Sequence, residues 1–453
     1  SRLWSMELKG KKALVVGAGK TGIATAHFLR EQGAQVTITD CKPRTELEEE
    51  VEKINDRIRT EFGEHQLRSF LEAELIVVSP GVPPIKPLRA AVRNGKEVIS
   101  EIELAGRFIR TPIVAVTGTD GKTTTANLIE RILTNSGKKV FLGGNIGRPL
   151  IDYARTGQDC DYAVAELSSF QLERTYRFSP HIALLLNISQ DHLDRYRSFR
   201  KYTLAKLRIF ANQQDSDFAI LNWDDPSVSR ASRRIKAKKL YFSLTKPLKP
   251  GACLEDGTIV CQLPSGRKET YPTKKFKLRG PHNLENIMAG VTVAGLCSCS
   301  RAKTQEALER FSGLEHRLEF VRELKGVKFF NDSKATTVNS ARRALESFRE
   351  PIILIAGGRD KGSDYTPLRD LIREKVKVLI LYGEARTKIA QSLSGLTETL
   401  SVENIDQAVP RAWAKSSSGD LVLLSPACSS FDLFSNYEER GKVFKTLVMD
   451  LKD

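Results

Sequence analysis

TPIVAVTGTDGKTTTANLIE occupies Thr111–Glu130. Its first half is an apolar run and its second half opens on glycine, lysine and threonine before a helix-forming stretch. Strand, glycine loop and helix in that order are what a phosphate-cradling loop requires. Gly118 and Gly121 let backbone N–H groups approach phosphate oxygens. Lys122 brings a cation to the β- and γ-phosphates, and the Thr123 hydroxyl is placed for Mg²⁺. The loop is shorter than the common G-x-x-x-x-G-K-[ST], whose first glycine would fall on Val116.

Working outward, the pattern before the loop is also α/β. KALVVGAGKTGIATAHFLREQGAQVTITD (12–40) gives an apolar strand, Gly17-x-Gly19-x-x-Gly22, an amphipathic helix and a second strand ending at Asp40. That glycine loop suits NAD(P), another phosphate-bearing ligand, or a plain tight turn. AELIVVSPGVPP (73–84) adds a buried strand. After the phosphate loop, CDYAVAELSS (160–169) and PHIALLLNIS (180–189) read as central parallel strands, with Glu166 closing the first. A helix is expected near 199–211, a basic strand-like region over 235–280, and a helix over 280–296. A third α/β unit contains VKFFNDSKATT (327–337), PIILIAGG (351–358), VKVLILYG (376–383) and GDLVLLSPACSSFD (419–432), a doubly wound pattern. The expected boundaries are 6–107, 108–312 and 313–453. The first and last domains are expected to be Rossmann-like, and the middle one a parallel-sheet ATP-binding domain.

Composition narrows the class. With 453 residues, 40% hydrophobic and 28% charged, the chain is an ordinary globular one. No run approaches the ~20 apolar residues of a membrane span. SRLWSMELKG lacks the apolar core of a secretory signal, and Met6 is a candidate natural start. Seven scattered cysteines without a C-x-x-C pair fit reduced cytoplasmic thiols. The net charge of +16 leaves a solvated basic surface, anionic substrates or nucleic acid open. The basic stretches 232–239 and 274–280 carry no nucleic-acid-binding signature.

Seven stretches together carry a resemblance: GTDGKTTT (118–125), ELSSFQLE (166–173), NISQDHLDRY (187–196), GPHNLENIMA (280–289), HR (316–317), NDSKATT (331–337) and LSPACSSFD (424–432). In this order the chain resembles the Mur ligase family, ATP-dependent amide-forming ligases that build the peptide of bacterial cell-wall precursors. DSKAT and SPACSSFD resemble the branch that adds D-glutamate. The resemblance implies a cytoplasmic, monomeric enzyme of peptidoglycan synthesis, serving cell-wall growth, cell shape and division. ATP would phosphorylate the alanyl carboxylate of UDP-N-acetylmuramoyl-L-alanine, and the amine of D-glutamate would attack the acyl phosphate. Neither nucleic acid nor stable membrane insertion is implied.

The resemblance also implies roles residue by residue. Gly118, Thr119, Asp120, Gly121, Lys122, Thr123, Thr124 and Thr125 would hold ATP with Asn283, Asn286, Arg317 and Asp332. Thr123, Glu166, His192 and Lys206 would hold two Mg²⁺ ions, with Lys206 as a carbamate; Lys122, Glu166, His192 and Lys206 form the catalytic set. An ammonium cannot ligate a metal, whereas a carbamate offers anionic oxygens. Thr21, Asp40, Gly81, Asn145 and Ser168 would touch the UDP-linked substrate. Lys334, Thr336, Lys361, Ser430 and Tyr437 would grip the two carboxylates of D-glutamate. Lys20 and the stretch Cys41–Arg44 depart from the family pattern, with Arg44 a substitute contact for uracil. The readings set against this one are another amino-acid-adding ligase of the superfamily, an NAD(P) oxidoreductase and a nucleotide-gated nucleic-acid-binding protein.

Overall fold

Apolar, β-branched runs bounded by glycine loops become buried strands throughout the chain. The computed structural model describes residues 7–189, 198–247, 250–278 and 280–452. These fall into two compact units, residues 1–311 and 312–453.

The first unit holds two sheets. One is parallel, in the spatial order Arg59–Phe62, Gln35–Asp40, Lys12–Val16, Leu75–Val78, Glu97–Ser100. The helix Lys20–Glu31 lies directly on its central strand because Gly22 has no side chain. A Cβ there would stand 1.8 Å from the Gly17 carbonyl oxygen. The second sheet runs Lys268–Pro272, Thr258–Gln262, Gly251–Glu255, Lys238–Ser243, Phe218–Asn222, Ile182–Leu185, Ile113–Thr117, Tyr162–Glu166, Val140–Gly144. Ile113–Thr117 is wholly buried and pairs in parallel with both neighbours. The middle sheet is parallel, as expected, from Gly251–Glu255 to Val140–Gly144, and at its other edge Gly251–Glu255, Thr258–Gln262 and Lys268–Pro272 form antiparallel hairpins. Asp256 (φ +45°) and Gly257 (φ +74°) alone join two of them. Two residues close a hairpin but cannot carry the crossover a parallel pair needs.

The two sheets of this unit share one buried core, with Val15 and Ile38 of the first and Ala115, Ala163 and Leu185 of the second. Polar links reinforce it. Glu103, on the connecting helix Glu101–Phe108, is inaccessible to solvent. Its carboxylate accepts from the backbone amides of Tyr176 (2.6 Å), Arg177 (2.8 Å) and Phe178 (3.2 Å), and from Arg107 Nε (3.2 Å). Glu101 Oε1 accepts from the Ile151 amide, and Arg155 pairs with Glu31.

The second unit is a six-stranded sheet in the order Glu319–Leu324, Val327–Asn331, Leu421–Leu424, Ile352–Gly357, Val376–Tyr382, Glu398–Ser401. It is parallel except for its first pair, a hairpin turned at Lys325 and Gly326, both with positive φ. The five strands other than Glu319–Leu324 are parallel to one another, in keeping with the doubly wound expectation. Apolar clusters cover both faces, one around Leu354 and Leu423, the other around Ile353 and Val422.

Candidate active site

The phosphate loop follows the wholly buried strand Ile113–Thr117, at the carboxyl edge of a parallel sheet where ligands bind in such folds. The helix Lys122–Asn135 starts from Gly121 at φ +79°. A Cβ on Gly121 would meet Asn286 Oδ1 at 2.6 Å, so the loop and the helix Pro281–Leu296 touch at this point. The loop is braced from the neighbouring strand end. Asp120 N–H donates to Asn187 Oδ1 (2.8 Å), and Asn187 Nδ2 donates to the Asp120 carbonyl (3.0 Å). Ser189 N–H donates to Thr119 Oγ1, which lies 3.1 Å from the Tyr202 hydroxyl.

Two lysines converge on one carbonyl. Lys122 Nζ donates to Gly118 O (2.8 Å) and Thr119 O (2.9 Å). Lys206, only 2% exposed on the helix Phe199–Leu207, donates from Nζ to the same Gly118 oxygen at 2.8 Å. Its ammonium lies 4.8 Å from the Tyr202 ring centre. Thus Lys206 is buried beside the phosphate loop. Thr123, Thr124 and Thr125 are buried in the first turn of the helix. Glu166 ends the strand beside Ile113–Thr117, in register with Val116, and is 4% exposed. Its carboxylate takes no hydrogen bond among the described residues. A buried carboxylate with no hydrogen-bond partner among the described residues, at the sheet edge that also carries the phosphate loop, fits the all-oxygen preference of Mg²⁺. His192 lies outside the described residues. Asn283 stands in the first turn of the helix Pro281–Leu296, one turn before Asn286.

The candidates for the UDP-linked substrate are spread along the carboxyl edges of both sheets of this unit. Asp40 braces the first glycine loop, accepting from the amides of Ala18 (2.8 Å) and Lys42 (2.9 Å). Thr21 lies in the first turn of the following helix. Gly81, beyond the strand Leu75–Val78, has open space where a Cβ would stand. Asn145 is exposed and its amide donates to Glu166 O (2.8 Å). Ser168 caps the short helix Ser169–Leu172 in a reciprocal box with Gln171. Lys20, a departure from the family pattern, donates to Gly147 O (2.8 Å) and so ties the first glycine loop to the turn carrying Asn145.

In the second unit, three loops carry the remaining candidates. Asp332 is buried at a strand end, accepting from Ser425 Oγ (2.9 Å) and the Leu318 amide (3.1 Å). Burial pushes its carboxyl up to about 7, against the pull of those bonds and of Arg317. Lys334 Nζ lies 5.9 Å from the Tyr437 ring, whose edge meets His316. Thr336 follows in the same tight loop, its amide donating to Lys334 O. Lys361 Nζ lies 5.7 Å from the ring of Phe431, next to buried Ser430.

What gathers these loops is Arg440, which the sequence reading missed. It is fully buried, and donates from Nε to Ser333 Oγ (3.0 Å), from Nη2 to Ser333 O (2.8 Å) and from Nη1 to Cys428 O (3.0 Å). The signal for it was its neighbour. Gly441 interrupts a helix, and a Cβ there would lie 2.1 Å from His316 Nδ1. A glycine inside a helix marks a close approach.

Three family models match in sequence order: a Mur ligase MurD-like N-terminal domain over residues 11–100, a Mur ligase middle domain over 116–294, and a Mur ligase glutamate ligase domain over 316–428. The chain is 50% identical over 450 residues to the UDP-N-acetylmuramoylalanine--D-glutamate ligase of Geotalea uraniireducens, covering 99% of both chains. The enzyme of that name from Koribacter versatilis is 45% identical over 450 residues, again covering 99% of both. Among solved structures, the Thermotoga maritima UDP-N-acetylmuramate-alanine ligase MurC aligns with a TM-score of 0.55 at 21% identity, over 98% of this chain and 100% of that one. The Thermotoga maritima MurF ligase in complex with ADP aligns with a TM-score of 0.56 at 16% identity, over 97% and 95%. The structural likenesses establish the three-domain fold, and the sequence matches establish that this chain belongs to the Mur ligase family.

Proposed function

We propose that this chain is an ATP-dependent ligase joining D-glutamate to UDP-N-acetylmuramoyl-L-alanine in peptidoglycan precursor synthesis, and so serves cell-wall growth and division. One observation carries the reading: relatives named for that reaction align with essentially the whole chain at about half identity. The motifs of the second unit support the choice of amino acid. In this reading residues 6–107 receive the UDP portion, 108–312 bind ATP, and 313–453 bind the incoming amino acid.

A carboxylate is a poor electrophile at neutral pH, so the alanyl carboxylate takes the γ-phosphoryl group of ATP and becomes an acyl phosphate. The D-glutamate amine attacks its carbonyl carbon, and phosphate leaves as the amide forms. The protein contributes mainly position and charge. Lys122 already points at the loop that would cradle the phosphates, and releasing its bonds to Gly118 and Thr119 frees a cation for them. Lys206 lies within reach of the same loop. Asn283, Asn286, Arg317 and Asp332 complete the nucleotide contacts. Thr123, Glu166, His192 and a carbamylated Lys206 would hold Mg²⁺, which neutralises charge on the transferring phosphoryl group. Thr21, Asp40, Gly81, Asn145 and Ser168 orient the UDP-linked substrate; Lys334, Thr336, Lys361, Ser430 and Tyr437 orient D-glutamate. The enzyme acts in the bacterial cytoplasm as a monomer.

The test is phosphate release with ATP, Mg²⁺ and UDP-N-acetylmuramoyl-L-alanine against amino acids added singly. Release with D-glutamate alone, and a product heavier by one glutamyl unit, is the expected result. Release with L-lysine, diaminopimelate or L-glutamate instead would keep the family and overturn the substrate.

A further inference from the structure

The segment GGRDKGSDY (357–365) leaves the strand Ile352–Gly357 and carries Lys361. Its geometry is organised by the residue before that lysine. Asp360 Oδ2 accepts from Lys388 Nζ (2.7 Å) and the Gly362 amide (3.2 Å). Oδ1 accepts from the Tyr365 hydroxyl (2.8 Å) and the Ser363 amide (3.1 Å). One carboxylate, on the residue before Lys361, therefore ties down the backbone just after it. The Lys388 bond, foremost among these, holds its carboxyl down at about 2, so the clamp stays ionised across the working pH range.

The clamp extends beyond its own loop. The Tyr365 hydroxyl, buried with its ring, also lies 3.1 Å from Cys428 Sγ. Cys428 precedes Ser429 and Ser430, and Arg359 and Ser429 form a backbone bridge, with the Arg359 amide donating to Ser429 O at 2.9 Å. The loops bearing Lys361 and Ser430 thus share one anchored frame, while the Lys361 side chain itself stays exposed.

We propose that Asp360 is a positioning residue for the amino-acid substrate: it sets where the Lys361 ammonium stands relative to Ser430, and so tunes capture of a D-glutamate carboxylate. This rests on the reading that Lys361 grips that carboxylate. Asp360 itself touches no substrate. A long lysine on an unclamped loop would sample many positions, and each lost constraint lowers the fraction of time it stands correctly.

The test is a double-mutant cycle with Asp360→Ala, Lys361→Ala and the pair, measured by phosphate release, with thermal midpoints recorded for each. Lys361→Ala raises KM for D-glutamate roughly tenfold or more. Asp360→Ala raises the same KM by about tenfold, with kcat and the KM for ATP changed less than about twofold. In the double variant Asp360→Ala adds nothing, because both changes act through one ammonium. If Lys361→Ala leaves KM for D-glutamate unchanged, the reading of Lys361 fails and the proposal with it. If Lys361→Ala raises KM but Asp360→Ala does not, or the two effects multiply, Lys361 keeps its role and the proposal is overturned. Should Asp360→Ala not fold, Asp360→Asn takes its place in the cycle. It keeps one acceptor oxygen and loses the Lys388 ion pair, and the same non-additivity is required of it.

Discussion

Asp332 offers a sharp test of how the second unit treats charge. Replacing it with asparagine keeps the shape and an acceptor for the Leu318 amide, and Ser425 Oγ can turn to meet the new amide group. What changes is titration. The folded carboxyl sits at about 7, against 3.8 for an unperturbed aspartate. Between those values the folded chain holds a proton that the unfolded chain has lost, so stability falls as pH rises from about 4 to 7 and levels off above. The whole difference amounts to about 4 kcal/mol, at about 1.36 kcal/mol per pH unit. Between pH 5 and pH 8 only the part up to 7 is felt, about 3 kcal/mol. The assay is urea unfolding at both pH values, followed through Trp413 in a Trp4→Phe, Trp223→Phe background, for this chain and its Asp332→Asn variant. Subtracting one pH response from the other removes other groups, including Glu101, whose buried carboxyl is also raised to about 7. The chain with Asp332 is expected to lose about 3 kcal/mol more than the variant. Parallel responses within about 1 kcal/mol would mean that Asp332 is already ionised at pH 5 and that its hydrogen bonds and Arg317 outweigh burial.

Two further outcomes are expected. Lys206→Ala should lower the rate of phosphate release roughly 100-fold or more, with partial recovery on adding short-chain carboxylates that replace carbamate oxygens; activity within about twofold of the parent would remove the carbamate from the mechanism. Glu103→Gln places an NH₂ group against backbone amides that need an acceptor and removes one of the two carboxylates paired with Arg107, the other being Glu97. A loss of about 3–5 kcal/mol in the urea unfolding of the first unit should follow, with the second unit unchanged; a loss under about 1 kcal/mol would mean that relief from burying the carboxylate offsets the broken bonds.

The strands feeding glycine loops were legible because they are local: an apolar run, a glycine and a helix former suffice, as Ile113–Thr117 and Lys122–Asn135 illustrate. The hairpin edge of the middle sheet is written in Asp256-Gly257, a two-residue turn inside a basic, strand-rich stretch. The residues that assemble the site were harder. Glu103, Asp360 and Arg440 look like solvated charges on their own segments. Their roles depend on partners 73, 28 and 107 residues away, Tyr176, Lys388 and Ser333. Nothing in YTLAKLRIF marks Lys206 as buried, because its partner Gly118 lies 88 residues away.

The links inside the first unit have a consequence for substrate choice. Glu103 grips three successive amides, Glu101 holds the start of the helix Leu150–Arg155, Arg155 reaches Glu31, and Lys20 reaches Gly147. With a shared apolar core beneath them, the two glycine loops of this unit stand at a set separation. Such a pair works as a ruler. In the proposed reading, a ligand anchored by its nucleotide at one loop and presenting a carboxylate at the other would be selected first by its length.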